Sequence, residues 1–264
     1  MLANVEMKKY GLIGYPLTHS FSEQYFKDKF AREGIDAEYR AFELPNLSDL
    51  DEVLKNNPDL VGLNVTIPHK IGVMFYLQKI DPAAREIHAV NCIKIVKSKP
   101  VESFFSGEFN QLPVRLEGYN TDAYGFEESL KPLLEKHHQK ALVLGHGGAA
   151  RAVAYVLKKL DISFRFVSRR PTGKQYSYGE LSEEIIRDRT LIVNTTPCGT
   201  YPKVDEKPGI PYEFLTDRHL LYDLVYNPEE TLFLKLGKER GAATKNGYEM
   251  LRLQAEKSWE IWNS

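Results

Sequence analysis

The sequence predicts an α/β protein built from two successive runs of alternating strands and helices. Three observations carry that expectation. Short apolar segments bounded by turn residues alternate with helically spaced apolar positions through residues 10–96. The same cadence restarts at Lys140, after a helical segment over 121–136. The restart is marked by a glycine-rich turn, Gly145-His146-Gly147-Gly148, between a strand and a helix. Alternation of this kind implies mostly parallel sheets covered by helices.

In the first run, residues 10–14 read as a strand. Ser22 is placed to cap a helix in which Tyr25, Phe26 and Phe30 recur at helical spacing, and Gly34 ends it. Residues 37–44 alternate as a strand does, and 47–56 form a short amphipathic helix. The apolar stretch 60–65 is a buried strand, followed by a helix over 69–78. Residues 90–96 are another strand. The stretch 97–111, rich in Ser, Gly, Phe and charge, reads as a hairpin excursion. In the second run the strands are 140–144, 162–167, 191–194 and 220–224, with a helix from the glycine-rich turn to residue 160. Asn246 caps a last helix, with Glu249 placed as in a capping box. Its apolar stripe is Tyr248, Leu251, Ala255 and Trp262.

Composition narrows the classes. With 42% hydrophobic and 27% charged residues, the chain has the balance of a globular protein, and 264 residues suffice for one large or two modest domains. A net charge of −1 gives no electrostatic reason to bind nucleic acid or an anionic membrane. No apolar run reaches membrane-span length, and the N-terminus lacks the apolar core of a signal peptide, so a cytoplasmic protein is expected. The two cysteines, Cys92 and Cys198, have no metal-ligand spacing, which fits free thiols and no metal.

Chemistry concentrates at two places. Asn64-Val65-Thr66-Ile67-Pro68-His69-Lys70 puts an amide, a hydroxyl and a lysine just past the carboxyl end of a strand, where ligands bind in open α/β sheets. Partial burial or a cationic neighbourhood would make such a lysine a proton-transfer group. Gly118-Tyr119-Asn120-Thr121-Asp122 supplies a carboxylate partner. At the second place, glycines at a strand–helix turn let the backbone approach a pyrophosphate, and the helix N-terminus offers it free N–H groups. After the second strand of that run comes Val167-Ser168-Arg169-Arg170, with no acidic residue. An acid there would favour a ribose 2′-hydroxyl, whereas two guanidinium groups suit a 2′-phosphate, so NADP is preferred over NAD.

These motifs are similar to those of the shikimate dehydrogenase family. The resemblance rests on Asn64-Val65-Thr66 with Pro68 and Lys70, on Gly118–Gly125 with its Asn120-Thr121-Asp122, and on Gly14-Tyr15-Pro16-Leu17-Thr18-His19-Ser20-Phe21-Ser22. Ala89-Val90-Asn91, the GHGGAARA run from Gly145, VNTTPCGTYP from Val193, YDLVYNPEETLFL from Tyr222 and NGYEMLRLQA from Asn246 add to it in family order. The resemblance implies a substrate domain over 1–122, an NADP-binding Rossmann domain over 123–243, and a C-terminal helical segment over 244–264 that returns to the first domain. It implies reversible reduction of 3-dehydroshikimate to shikimate, in aromatic amino acid biosynthesis. The matching positions assign Lys70 and Asp122 to catalysis. They assign Ser20, Ser22, Asn64, Thr66, Lys70, Asn91, Asp122, Tyr226 and Gln254 to the substrate. Gly145, His146, Gly147, Gly148, Ala149, Ser168, Arg169, Arg170, Thr195, Leu224 and Gly247 fall to the cofactor.

The chain departs from the family pattern at Glu23, where Pro is usual, at His146, where Ala is common, and at Ser168 and Arg170 in place of Asn and Thr. Two other readings stay open: a quinate/shikimate dehydrogenase using NAD or both cofactors, and a non-catalytic ligand sensor on the same scaffold. The chain carries no basic DNA-binding module, and Lys70 is present. The expected partner is a small-molecule acid, with no nucleic acid or membrane, and the protein a monomer or homodimer.

Overall fold

The structure is a computed structural model that describes residues 7–17, 21–97 and 113–264. Ser20, with Thr18 and His19, lies outside the described residues, as does the 97–111 excursion beyond Lys97. The chain forms two compact units, Met1–Thr121 with Ala255–Ser264, and Asp122–Gln254.

The first unit is built from β1 (Lys8–Gly14), α1 (Phe21–Glu33), β2 (Ala37–Glu43), α2 (Leu50–Asn56), β3 (Leu60–Val65), β4 (Lys79–Ile80), α3 (Pro82–Ile87), β5 (Cys92–Lys97) and β6 (Val114–Tyr119). They form a six-stranded sheet in the order β2-β1-β3-β5-β6-β4. Every neighbour pair is parallel except those made by β5, which runs antiparallel to β3 and β6. Side chains alternate across the strands. On β1, Ile13 joins an aliphatic core with Leu63, Val65, Ile93 and Ile95 on one face. Tyr10 and Leu12 join an aromatic core with Phe26, Phe30, Tyr39 and Trp262 on the other. Gly62 admits the indole of Trp262: a Cβ there would lie 2.3 Å from the ring. The indole N–H donates to the Ile93 carbonyl at 3.0 Å.

Two expectations change here. Ser22 lies inside α1 and is buried, since the helix already begins at Phe21. The helix expected over 69–78 is a single 3-10 turn, Gly72–Tyr76. Gly72 and the β-branched Ile71 and Val73 disfavour a regular helix. The His69 imidazole instead ties this segment to the Leu44 carbonyl.

The second unit opens with most of α4 (Thr121–Leu130), which ends before Pro132 and so falls short of residue 136. It continues through β7 (Lys140–Leu144), α5 (Gly148–Lys159), β8 (Ser163–Val167), α6 (Glu183–Asp188), β9 (Leu191–Asn194), β10 (Leu220–Asp223), α7 (Leu232–Glu239) and β11 (Ala243–Lys245). The five strands are all parallel, in the order β11-β10-β9-β7-β8. Central strands such as Leu191–Asn194 and Leu220–Asp223 are buried at every residue, as strands covered on both faces must be. The last helix, α8 (Tyr248–Asn263), begins in this unit and ends in the first. Residues 244–254 stay with the second sheet because β11 pairs with β10 and the Gly247 N–H donates to the Val225 carbonyl. Asn246 accepts from the Tyr248 N–H, but no capping box forms, because Glu249 pairs with Lys245. Tyr248 is half exposed; the buried stripe of α8 is Met250, Gln254, Ser258 and Trp262, with Ala255.

Two buried histidines make this unit sensitive to acid. His138 Nδ1 accepts from the Glu135 N–H at 2.9 Å while Nε2 reaches the Arg218 carbonyl at 3.2 Å. His219 Nδ1 accepts from the Thr216 N–H and Nε2 reaches the Ile186 carbonyl, both at 3.0 Å. Only a neutral ring protonated at Nε2 makes both bonds. Burial lowers both pKa values, helped at His138 by the neighbouring His137. The unfolded chain therefore binds more protons than the folded one below about pH 6.5. The stability these histidines contribute is complete above that value and lost as the pH falls below it. Urea unfolding at a series of pH values should show this decline, and His138→Gln with His219→Gln should flatten it.

Candidate active site

In the first sheet the chain passes from β1 through α1 to β2 on one side, then through α2 to β3 on the other. The carboxyl ends of β1 and β3 therefore flank a topological switch point, where loops diverge and leave room for a ligand. Thr66 lies just past β3, with its N–H on the Ile13 carbonyl at 2.9 Å and its methyl group against Gly14. The His69 N–H bonds back to the Thr66 carbonyl at 2.9 Å. Lys70 follows, half-buried, its carbonyl receiving the Val90 N–H at 2.7 Å. Asn91 accepts the Val65 N–H on its carbonyl at 2.8 Å. Backbone bonds thus gather Thr66, Lys70 and Asn91 at one end of the sheet.

The amides are fixed by side chains. Asn64 Oδ1 accepts from the Tyr39 hydroxyl at 2.8 Å. Its Nδ2 donates to Ser258 Oγ at 2.9 Å and to the Asn91 carbonyl at 3.3 Å. Asn91 Oδ1 accepts the Thr121 N–H at 2.6 Å and its Nδ2 donates to Thr121 Oγ1 at 3.0 Å. Ser22 completes the set by a hydrogen bond to Tyr39, whose hydroxyl pKa is nonetheless raised well above its usual value by complete burial. Glu23 turns to Lys27 one helical turn on, at 2.7 Å. Its carboxylate is held on the helix surface, in the first turn, where it favours the helix dipole.

In the second unit Asp122 is buried in the first turn of α4. Gly125, one turn later, lets α4 pack tightly on α8. A Cβ there would lie 2.4 Å from the Met250 carbonyl and 3.1 Å from the Gln254 nitrogen. This crossing brings the turn after Asp122 onto the turn that carries Gln254. Gln254 is buried, its Nε2 on the Leu251 carbonyl at 3.0 Å. Tyr226 follows β10, half-buried, with its hydroxyl pKa raised by desolvation.

The second sheet repeats the switch-point logic around β7, and the candidate cofactor residues follow the carboxyl ends of its five strands. Gly145 has φ 105°, a conformation only glycine takes readily, and a Cβ would meet Thr195 Oγ1 at 2.8 Å. Thr195 Oγ1 donates to the Leu144 carbonyl at 2.6 Å, locking the two loops together. Gly147 caps α5 without a side-chain acceptor, and the space beside its Cα is open. An uncapped helix N-terminus with room above it fits a pyrophosphate, on residues Gly147, Gly148 and Ala149. The His146 ring lies edge-on to Phe166 of β8, with 5.5 Å between ring centroids. Arg169 and Arg170 are exposed, and the Arg170 N–H bonds to Ser168 Oγ at 3.2 Å. Leu224 and Gly247 are in contact: a Cβ on Gly247 would sit 2.1 Å from the Leu224 carbonyl.

Asp223 has a role that the sequence reading did not assign. At the end of β10 it is fully buried and accepts from Asn194 Nδ2 at 2.9 Å, the Val225 N–H at 3.0 Å and Thr231 Oγ1 at 2.6 Å. Asn194 Oδ1 in turn accepts from Thr196 N–H and Oγ1. One carboxylate therefore orders both the loop of Thr195 and the loop of Leu224 and Tyr226. Desolvation pushes its pKa up to about 6 despite the three donors. An aspartate closing an apolar strand, Leu220-Leu221-Tyr222-Asp223, was the available signal.

Known proteins align with this architecture. A family model for the shikimate dehydrogenase substrate binding domain matches residues 12–93. A shikimate dehydrogenase (NADP(+)) from Methanococcus aeolicus is 36% identical, over 99% of this chain and 94% of its own. A chorismate mutase/shikimate 5-dehydrogenase fusion protein from Clostridium acetobutylicum superposes with a TM-score of 0.82 at 37% identity, covering 98% of this chain and 92% of that one. Shikimate 5-dehydrogenase from Thermus thermophilus, solved in complex with NADP(H) and shikimate, gives 0.80 at 30% identity, covering 97% and 93%.

Removing the Asp223 carboxylate strands three donors in an apolar setting. Asp223→Ala should lower stability by about 3 kcal/mol, and Asp223→Asn, which keeps an acceptor, by less, as read by urea unfolding. Arg169→Ala and Arg170→Ala should each weaken NADP binding by about tenfold while leaving NAD binding unchanged, as read by calorimetric titration.

Proposed function

This chain belongs to the shikimate dehydrogenase family, and from that premise we propose that it is an NADP-dependent shikimate dehydrogenase, reversibly reducing 3-dehydroshikimate to shikimate. The observation that carries the reading is the fully hydrogen-bonded cluster of amides and hydroxyls at the carboxyl end of β3, joined to Lys70 by the backbone bond from Val90. A cluster held in one orientation by its own bonds presents a fixed pattern of polar groups, and a cyclic polyhydroxy acid is the kind of ligand such a pattern can read.

Bound NADP supplies or takes up the hydride. The chain's own residues handle the substrate and its proton. Ser20 and Ser22 hold the carboxylate; Asn64, Thr66, Asn91, Tyr226 and Gln254 hold the hydroxyls and the ring. Lys70 takes the proton from the substrate hydroxyl when the alcohol is oxidised and returns it to the oxygen when the ketone is reduced. Asp122 accepts a hydrogen bond from the same hydroxyl and orients it. Because the work of Lys70 is done in the transition state, its loss falls on turnover rather than on binding.

On the same reading the protein works on dissolved small molecules in the cytoplasm, in aromatic amino acid biosynthesis, as a monomer or homodimer, without nucleic acid or membrane partners. Among the described residues no helix is long and apolar enough to cross a membrane, and no His, Cys, Asp and Glu cluster could hold a metal ion.

The test is reduced-nicotinamide absorbance in four mixtures: shikimate or quinate, each with NADP or NAD. Turnover of shikimate with NADP above the other three supports the proposal, and Lys70→Ala should reduce kcat by about 100-fold or more with little change in KM. Turnover only with quinate or NAD would replace the substrate and cofactor assigned here.

A further inference from the structure

We infer that Tyr39 and Ser258 are positioning residues for the substrate, acting through the Asn64 amide and, at its two ends, through Ser22 and Thr121. The inference rests on the reading of Ser22, Asn64 and Asn91 as part of the shikimate-binding set. Neither Tyr39 nor Ser258 belongs to that set.

The argument is one of fixed geometry. Asn64 is nearly inaccessible, and all three of its side-chain hydrogen bonds are internal. Tyr39 from β2 holds the oxygen, while Ser258 from α8 and the Asn91 carbonyl hold the nitrogen. The amide therefore has one orientation, set from two different elements. Ser258 is fully buried and its hydroxyl also lies 3.2 Å from Thr121 Oγ1. Thr121 anchors the Asn91 side chain at both its oxygen and its nitrogen and immediately precedes Asp122. Tyr39 at the other end bonds to Ser22. A single chain of contacts, Ser22–Tyr39–Asn64–Ser258–Thr121–Asn91, thus runs through the three candidate substrate groups.

The arrangement is more than packing requires. Tyr39 stacks on Phe26 at 4.7 Å between centroids, a contact that a phenylalanine would keep. Ser258 occupies a helical position where alanine would fit at least as well and avoid burying a hydroxyl. What the two hydroxyls add is hydrogen bonding, and its recipients include Asn64, Ser22 and Thr121, with Cys92 also beside Ser258. Loss of either hydroxyl frees the Asn64 amide to turn and leaves a buried group unpaired, so binding of a ligand that reads the amide pays for reordering it.

Tyr39→Phe and Ser258→Ala, made in the full chain, test this. The expected result is a rise of about tenfold in KM for shikimate in each variant, with KM for NADP unchanged. The double variant should lose less than the product of the two, since both release the same amide. Unchanged KM for shikimate in both variants would overturn the inference. So would equal shifts in both KM values that track a loss of melting temperature, which is what a purely structural role predicts. If Ser258→Ala does not fold, Tyr39→Phe alone decides. Failure of the unaltered protein to turn over shikimate would overturn the functional reading and this inference with it; turnover by the unaltered protein with unaffected variants would overturn the inference alone.

Discussion

Strand direction governs where the candidate site residues that follow strands sit in this protein. Each sheet begins with a strand that ends up with neighbours on both sides, because the chain crosses first one way and then the other. Loops leaving the carboxyl ends of adjacent strands then diverge, which in open α/β sheets is where ligands bind. Asn64 and Thr66 stand at that edge in the first sheet. Gly145, Ser168, Thr195 and Leu224 stand at the same edge in the second. A strand inserted in the opposite sense would carry its loop to the other end of the sheet. The antiparallel strand β5 obeys this rule by presenting its start, Asn91-Cys92, at the same end as the close of β3.

Polar side chains at such an edge are useful only if they hold still, and two buried networks see to that. In the first unit neutral amides and hydroxyls satisfy one another around Asn64. In the second a single carboxylate, Asp223, collects donors from β9, the loop after β10 and the cap of α7. The first network carries no charge and so costs little desolvation. The second buries an ion, and the raised pKa of Asp223 records that cost even with three donors in place. Partly satisfied, either network would destabilise its unit; satisfied, each fixes the segments it joins.

Much of this was legible in the residues. Apolar runs such as Leu60-Val61-Gly62-Leu63 and Leu191-Ile192-Val193 gave the central strands, and the glycine-rich turn placed the N-terminus of α5 correctly. What resisted reading was decided by tertiary partners. Strand β11 has only three residues and exists because β10 offers it an edge. The segment after Pro68 has helix-like apolar spacing, yet the His69 bond to Leu44 and the glycine at 72 hold it in a 3-10 turn. Ser22 looked like a cap from its place before the apolar helical positions, but α1 already begins at Phe21 and buries Ser22 within it. Tyr39 and Ser258 were invisible as a pair because the Asn64 amide they share lies 25 and 194 residues away.

The central claim is that the amide–hydroxyl cluster past β3 and the open N-terminus of α5 are the ligand-reading surfaces of the two units. A crystal structure of the protein with shikimate and NADP tests it most directly. The account predicts the acid on Ser22, Asn64 and Asn91 with Tyr39 and Ser258 unmoved behind them, the pyrophosphate over Gly147 and Gly148, and the 2′-phosphate at Arg169 and Arg170. Ligand density elsewhere, or an Asn64 amide that has broken from Ser258 to reach the acid, would contradict it.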